Sequence, residues 1–390
     1  MHPLSLRDKA PEQAETLAAC GVDGVRLAYA YHGGRWLLST SEPGAVADFG
    51  AGRWFASPAG GQAEAAPGLV LPSQGDLATS ACAALTAAGL AVTAWLVGLH
   101  QSPLVHHRPD LALLNVFGHR YEHALCPAQP DVVRYARHLV ADAAAQQGVS
   151  GLELEAFGYL GWAHQSAHDK FGVALRPVDR WLLSLCVCGA CARRYHDAGA
   201  DVDELRVKAR NALRKQFRSA KPPAEHLADD ARGVFGSELL TLILRTRSAV
   251  TSDLVEAAAD AAPHLPVSVR ATSDPYACDG KSSGDLHALA RAAGGLTVTN
   301  LAGSLEGLES DLAAAARTGA RVTAGWSLSA AHTATEAQLA QVARAARGCA
   351  AVAFYAYDLA PSERLSWLSR LPRTDEQDEA PYFHGTEAAQ

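Results

Sequence analysis

Three thiols fall within six residues in the run Cys186-Val187-Cys188-Gly189-Ala190-Cys191, directly after the apolar turn Trp181-Leu182-Leu183. This is the spacing of metal ligands rather than of disulfides. A tetrahedral zinc takes four soft or borderline donors, and Cys-x-Cys-x2-Cys supplies three of them. The fourth must come from elsewhere in the chain, and Cys126, in Ala124-Leu125-Cys126-Pro127, is the candidate. Four thiolates close the coordination sphere, so the zinc expected here is structural and leaves no position for a reacting water. The competing reading is four reduced, unligated thiols. Cys20, Cys82 and Cys349 lie in Ala/Leu-rich or strand-like segments, where a small thiol packs well, and Cys278 lies in a polar loop. The sequence opens on no apolar secretory stretch and its cysteines do not staple a small scaffold, so reduced thiols and a cytoplasmic location are expected.

Acid–base chemistry has its own candidates, at the ends of short apolar runs. In Gly151-Leu-Glu-Leu-Glu155 the period of two places Glu153 and Glu155 on one face, with Glu155 nearer the end. An inward-facing Glu is costly to bury alone, so it either serves a pocket or is held by an arginine such as Arg270. The first reading is the stronger for Glu155 and the second for Glu153. Other run ends contribute His32 and Arg35, His100 and Gln101, Asp274, Asn300, Trp326 and Ser327, and Tyr355, Tyr357 and Asp358. Carboxylates beside flat aromatic faces are what a sugar site requires. On this reading Glu155 is general acid, with Asp274 or Asp358 as second carboxylate and Asp279 as a further possibility. His32, Arg35, His100, Asn300, Trp326 and Tyr355 are then the substrate-binding set. His164 and His168 have helical i, i+4 spacing, but no His-Glu-x-x-His surrounds them, so surface or pocket positions are expected rather than a second metal. His106, His107, His119 and His123 occupy an irregular stretch that is either a pocket wall or a polar loop.

What positions these residues is an alternation of apolar runs with Ala-rich amphipathic helices. Seven runs read as strands: Gly24–Tyr31, Ala91–Gly98, Gly151–Glu155, Val267–Arg270, Leu296–Thr299, Arg321–Ala324 and Ala351–Tyr355. An eighth is expected at Pro3–Leu6 or within Trp36–Phe55. Repeated βα units give an open doubly wound sheet or a closed barrel. The count, and the lack of a Gly-x-Gly-x-x-Gly turn after any strand, favour an α/β fold of the (β/α)8 TIM-barrel class. One barrel domain over residues 1–375 is expected, with long insertions at about 32–74 and 156–235 and a flexible tail at 376–390. The 390-residue chain is 48% hydrophobic and carries a net charge of −7, which argues against nucleic-acid binding as its main activity. The basic stretch Arg206–Lys221 is flanked by Asp201, Asp203 and Glu204 and reads as a solvated helix face. No run approaches the ~20 apolar residues of a membrane span.

The Glu155 strand, the cysteine run behind it and the single Cys126 before it together resemble the zinc-bearing β-galactosidases of glycoside hydrolase family 42, over about residues 90–195. The resemblance implies a structural zinc held by Cys126, Cys186, Cys188 and Cys191 on a (β/α)8 barrel, with Glu155 as general acid/base. Two positions depart from that family: Leu154-Glu155 stands where it has Asn-Glu, and Ala324–Ser329 offers no Glu where it has its nucleophile. The segments Tyr31–Arg35 and Leu125–Pro127 are also similar to a group of actinobacterial Ala-rich barrel proteins.

The expected function is therefore a hydrolase-like enzyme acting on a glycoside or sugar-containing metabolite, with a small-molecule or oligosaccharide substrate and neither nucleic acid nor membrane as partner. Two alternatives stand beside it. One is a barrel that binds a carbohydrate or metabolite without cleaving it; the other is a metal-dependent lyase or isomerase using His32, His100 and Glu155 around an open metal site. Oligomeric state is left open.

Overall fold

The protein is described by a computed structural model, which covers residues 1–57, 69–162, 170, 172–219, 226–301 and 303–371. Seven parallel strands carry the architecture: β1 (Gly24–Tyr31), β2 (Ala91–Val97), β3 (Val149–Glu155), β4 (Val267–Thr272), β5 (Gly294–Asn300), β6 (Arg321–Ser327) and β7 (Ala351–Tyr355). They lie side by side in chain order, every adjacent pair parallel. The eighth member of the ladder is Gly52–Arg53, which pairs antiparallel with the free edge of β1. Pro3–Leu6 is a 3-10 turn instead, with Pro3 and Leu4 at its start.

The sheet is strongly curled. Six gaps of ~4.8 Å would separate β1 from β7 by about 29 Å in a flat sheet, yet the Tyr31 and Tyr355 hydroxyls are 3.4 Å apart and Arg26 Nη2 donates to Thr323 Oγ1 at 3.0 Å. Among the described residues no ladder joins β7 to β1 or to Gly52–Arg53. The result is a mixed α/β, barrel-like fold with a side-chain-bridged seam.

Helices cover the outside because their apolar residues recur at helical spacing. Pro130–Ala144 buries Val132, Tyr135, Ala136, Leu139, Val140 and Ala143, an i, i+3, i+4, i+7 stripe. Each fully buried side chain of Val or Leu size contributes about 1.5–3 kcal/mol. The helices after β5 and β6 start at caps the sequence supplies: Ser304 accepts from Gly307 N and Thr335 from Gln338 N.

Both insertions have structure of their own. Residues 32–74 include the hairpin Gly34–Leu37 with Val46–Phe49. Residues 156–235 supply the helices Pro177–Leu183, Gly189–Asp197, Val202–Gln216 and Leu227–Phe235. On Val202–Gln216 two of the basic residues are ion-paired, Arg206 with Asp203 and Lys208 with Glu204. The expected tail at 376–390 lies outside the described residues, as do His164 and His168.

Candidate functional site

Alternation along β3 sends Glu153 and Glu155 into the interior of the curl, where β1 and β4 answer with Arg26 and Arg270. Glu153 is fully buried. Its carboxylate takes Arg26 Nε, Arg270 Nε at 2.8 Å and Thr297 Oγ1 at 3.0 Å. Burial alone would raise its pKa, but the two guanidiniums overcome this and hold the carboxyl down at about 2. Arg270 bridges both acids, since its Nη1 lies 2.7 Å from Glu155 Oε2. The same oxygen accepts from Trp95 Nε1 at 2.6 Å, and the Arg270 guanidinium lies 4.6 Å from the centre of the Trp95 ring. Register explains the meeting: on β2, Trp95 pairs with Glu153 and Val97 with Glu155.

With Oε2 taken by two donors, Oε1 is the oxygen left for a ligand. It faces Gly280, where a methyl group would stand 3.7 Å from it. Glu155 and Arg270 line a cleft of about 290 Å³ together with Asp279, Gly280, Lys281, Thr299, Asn300 and Leu301. Asp279 brings a second carboxylate, 3.4 Å from Lys281 Nζ. Tyr31 and Tyr355 pack at 5.0 and 6.0 Å from Trp95, so aromatic rings back the acid. Ala156, directly after Glu155, has φ 58°, a conformation non-glycine residues rarely adopt. It is held there by Ala156 N to Gly280 O at 2.8 Å and Leu99 N to Ala156 O at 3.0 Å.

Of the residues expected from sequence, Glu155, Asn300 and Asp279 line this cleft, and Tyr355 backs it. His32 stacks on Tyr31 at 4.3 Å and meets His100 at a tilt at 4.7 Å, with His123 5.5 Å further on, an imidazole row beyond the cleft-lining set. Four expected roles are corrected by placement. Asp274 is exposed and accepts from Tyr276 N at 2.9 Å, opening the loop that carries Asp279. Asp358 is fully buried and accepts from Thr40 N, Ser41 N and Ser41 Oγ at 2.6–3.0 Å, so its carboxylate is consumed in anchoring the hairpin loop. Trp326 is likewise buried, its indole N–H on Thr333 Oγ1 at 2.9 Å, and offers no face to a sugar. Arg35 pairs with Asp48 at 2.7 Å across the exposed hairpin. An exposed pair of this kind contributes ~1 kcal/mol or less, so Arg35→Ala is expected to leave both the urea midpoint and ligand binding nearly unchanged.

Trp95, Gly280 and Lys281 escaped the sequence reading. Trp95 sits mid-strand and points inward by alternation, a signal that was available; the loop 273–281 gave none for Gly280 and Lys281, because its fold over Glu155 depends on long-range hydrogen bonds.

The four cysteines do converge. Cys126, Cys186, Cys188 and Cys191 are buried, with all four sulfurs within 4.8 Å of one another. The Sγ of Cys126 lies 3.4 Å from that of Cys191, 3.6 Å from Cys188 and 3.7 Å from Cys186. A disulfide needs ~2.05 Å. Four sulfurs ~2.3 Å from one ion form a tetrahedron with edges of about 3.8 Å, so the donor set fits a tetrahedral metal. Local structure supports this: Cys188 stands at the N-cap position of the helix Gly189–Asp197 and Cys191 sits in its first turn, where the helix dipole favours thiolate. Donors reach the sulfurs from Leu114 N at 3.4 Å and Gln129 Nε2 at 3.7 Å, and the Tyr159 hydroxyl is 3.4 Å from Cys191 Sγ. Among the described residues no other group of three or more His, Cys, Asp or Glu is placed to hold an ion, so His32, His100 and Glu155 are not assembled as a second centre.

No family model matches the chain, and no curated protein matches it. Solved structures do share its architecture. The α-L-fucosidase isoenzyme 2 of Paenibacillus thiaminolyticus superposes with TM-score 0.54 at 12% identity, over 93% of this chain and 45% of its own. For the β-amylase catalytic domain of Paenibacillus polymyxa the values are 0.54 and 13%, over 92% of both chains. The β-galactosidase of the psychrophilic Marinomonas ef1 gives 0.54 and 10%, over 95% of this chain and 58% of that one. The fold is of the TIM-barrel type that these three structures share. This chain thus spans less than half of the fucosidase and a little over half of the galactosidase, and it is their barrel architecture that it shares. In that fold the C-terminal strand ends form the functional mouth, and here those ends carry Glu155, Asn300 and Tyr355. No helix among the described residues is long and apolar enough to cross a membrane.

Proposed function

We propose that the protein is a glycoside hydrolase-type enzyme acting on a glycoside or sugar-containing metabolite, with Glu155 as its principal catalytic carboxylate. The observation that carries this is the state of Glu155: one oxygen fixed by Arg270 and Trp95, the other left to a cleft at the barrel mouth. The backbone outlier at Ala156 adds support, because conformations of this kind persist where surrounding structure holds them and cluster at functional sites. Asp279 takes the place of Asp274 and Asp358 as second acidic group, since it alone of the three lines the cleft.

The geometry refines the division of labour. An ion-paired carboxylate is suited to accept, so Glu155 attacks the sugar or takes a proton from water, with Asp279, itself paired to Lys281, as the second acidic group of the cleft. Assaying wild type and Glu155→Gln over a panel of aryl glycosides tests the reading, with ligand-induced melting shifts recorded on both. Cleavage by wild type, and binding without cleavage by the variant, supports it. The anomeric configuration of the first product, followed by proton NMR, then separates a retaining from an inverting pair.

A second reading has its own observation. At the end of β6, where the resemblance places a nucleophile, stands Ser327, whose hydroxyl lies 3.1 Å from His332 Nδ1. A barrel that binds a sugar without turning it over fits that position, and it predicts melting shifts with no cleavage of any panel member.

The cysteine centre is proposed to hold one structural zinc through Cys126, Cys186, Cys188 and Cys191. Saturated, the ion adds no catalytic position and fastens the hairpin Ala112–Leu114/Arg120–Leu125 to the helix Gly189–Asp197. Metal at ~1,000 times its Kd stabilises the folded state by about 4 kcal/mol. Stripping with a chelator is therefore expected to lower Tm by several degrees, and Cys186→Ser to abolish the difference between stripped and loaded protein. Metal analysis showing no ion in the wild type sinks this assignment.

A further inference from the structure

The helix Ser237–Ala259 buries Ile243, Arg247, Val250 and Leu254 along one stripe, so a cation occupies a position where the spacing calls for an apolar side chain. Arg247 is 2% exposed. Among the described residues no carboxylate pairs with it. Its Nη2 lies 3.2 Å from Cys278 Sγ, and among the described residues its Nε and Nη1 make no hydrogen bond. Burial pushes the Cys278 thiol up, so that thiol is a neutral neighbour at physiological pH. A buried charge left in this state costs several kcal/mol, and a chain retains it where something compensates.

The compensation lies on the far side of Tyr159. The Arg247 guanidinium stands 4.1 Å from the centre of the Tyr159 ring, and the hydroxyl of the same ring is 3.4 Å from Cys191 Sγ. The helix bearing Arg247 packs directly on Gly189–Asp197, which carries Cys191. A divalent ion with four thiolates has a net charge of −2 in a region the water does not reach. We propose that Arg247 is the built-in counter-ion of the loaded Cys126/Cys186/Cys188/Cys191 centre, with Tyr159 as the bridge between guanidinium and sulfur. The inference rests on the zinc reading and adds to it an explanation of the unpaired cation: the metal-free fold has an excess positive charge that loading balances.

The test is equilibrium zinc affinity. Chelator-stripped wild type, Arg247→Lys and Arg247→Gln are titrated with zinc against a competing chromophoric chelator at fixed pH. Loss of a group supporting metal ligands costs 10–100-fold in affinity, so Arg247→Gln is expected to weaken zinc by that factor and Arg247→Lys to recover most of it. In chelator, Arg247→Gln is expected to melt no lower than wild type, because it removes an uncompensated charge. Equal zinc affinity for wild type and Arg247→Gln overturns the counter-ion, as does an equal loss in the Lys and Gln variants, which marks a packing role. Failure of wild type to take up zinc overturns the metal reading itself, and is told apart by that first titration. Should Arg247→Gln not accumulate, Arg247→Met removes the same charge and is read the same way.

Discussion

Glu155→Gln lowers kcat/KM on the best glycoside by 10²–10⁴-fold while ligand-induced melting shifts persist: this is the result expected if Glu155 does the chemistry. The factor is that of removing a positioned proton-transfer group, equivalent to about 3–5 kcal/mol of transition-state stabilisation. Glutamine keeps the shape and an oxygen for the Trp95 indole N–H, so the fold survives the change. Arg270 also retains its bond to Glu153 at 2.8 Å. The loss should therefore appear in kcat with KM little changed. Asp279→Asn provides the comparison. If Asp279 donates the proton, its loss is largest for substrates with poor leaving groups and smallest for activated aryl glycosides. Equal turnover by wild type and Glu155→Gln would remove Glu155 from the mechanism.

The largest stability effect is expected one step deeper, at Glu153. Glutamine there leaves Arg26 and Arg270 facing each other without their shared anion, and breaking a buried pair in this way costs about 3–5 kcal/mol. The pH dependence of stability gives an independent estimate. The carboxyl is held at about 2 against an ordinary 4.5, which corresponds to about 3 kcal/mol. Because the folded-state value is depressed, this stabilisation is fully present above about pH 4.5 and disappears as pH falls toward 2. Urea midpoints for wild type should drop across that window, and those for Glu153→Gln should drop less. A variant as stable as wild type at pH 7 would contradict the pairing.

The strands were legible in the sequence because parallel strands covered on both faces are continuous apolar runs. Gly24–Tyr31 and Ala351–Tyr355 were found to the residue, and the others within one to three. Of the helices in the 156–235 insertion, Val202–Gln216 was legible through its charged face, whereas Pro177–Leu183, Gly189–Asp197 and Leu227–Phe235 are short and gain their stability from tertiary packing. The cysteine cluster was legible since ligand spacing is local for three of its members. Around the acid, Glu155 and Asn300 were readable as strand ends, whereas Asp358 misled: it is also a strand-end acid, and only residues 40–41, folding over it from another part of the chain with two backbone N–H groups and the Ser41 hydroxyl, show that its oxygens are already taken. Trp326 misled by one residue of register, which turns a side chain from the mouth into the layer between sheet and helices.

The seam between β1 and β7 sets where the molecule can breathe. Strands β2 to β6 are each zipped on two sides, whereas β7, among the described residues, has a single ladder, to β6, and its five residues are only half-buried. Local opening is governed by the bonds and buried surface that must be given up, so detachment of β7 is the low-energy excursion of this fold. It carries Tyr355 with it, and Tyr355 is bonded through Tyr31 across the seam and packed on Trp95, the residue that fixes Glu155. The carboxylate proposed for catalysis and the weakest joint of the barrel are thus mechanically connected, and a ligand large enough to press on Tyr355 acquires a route to loosen or lock the joint as it binds.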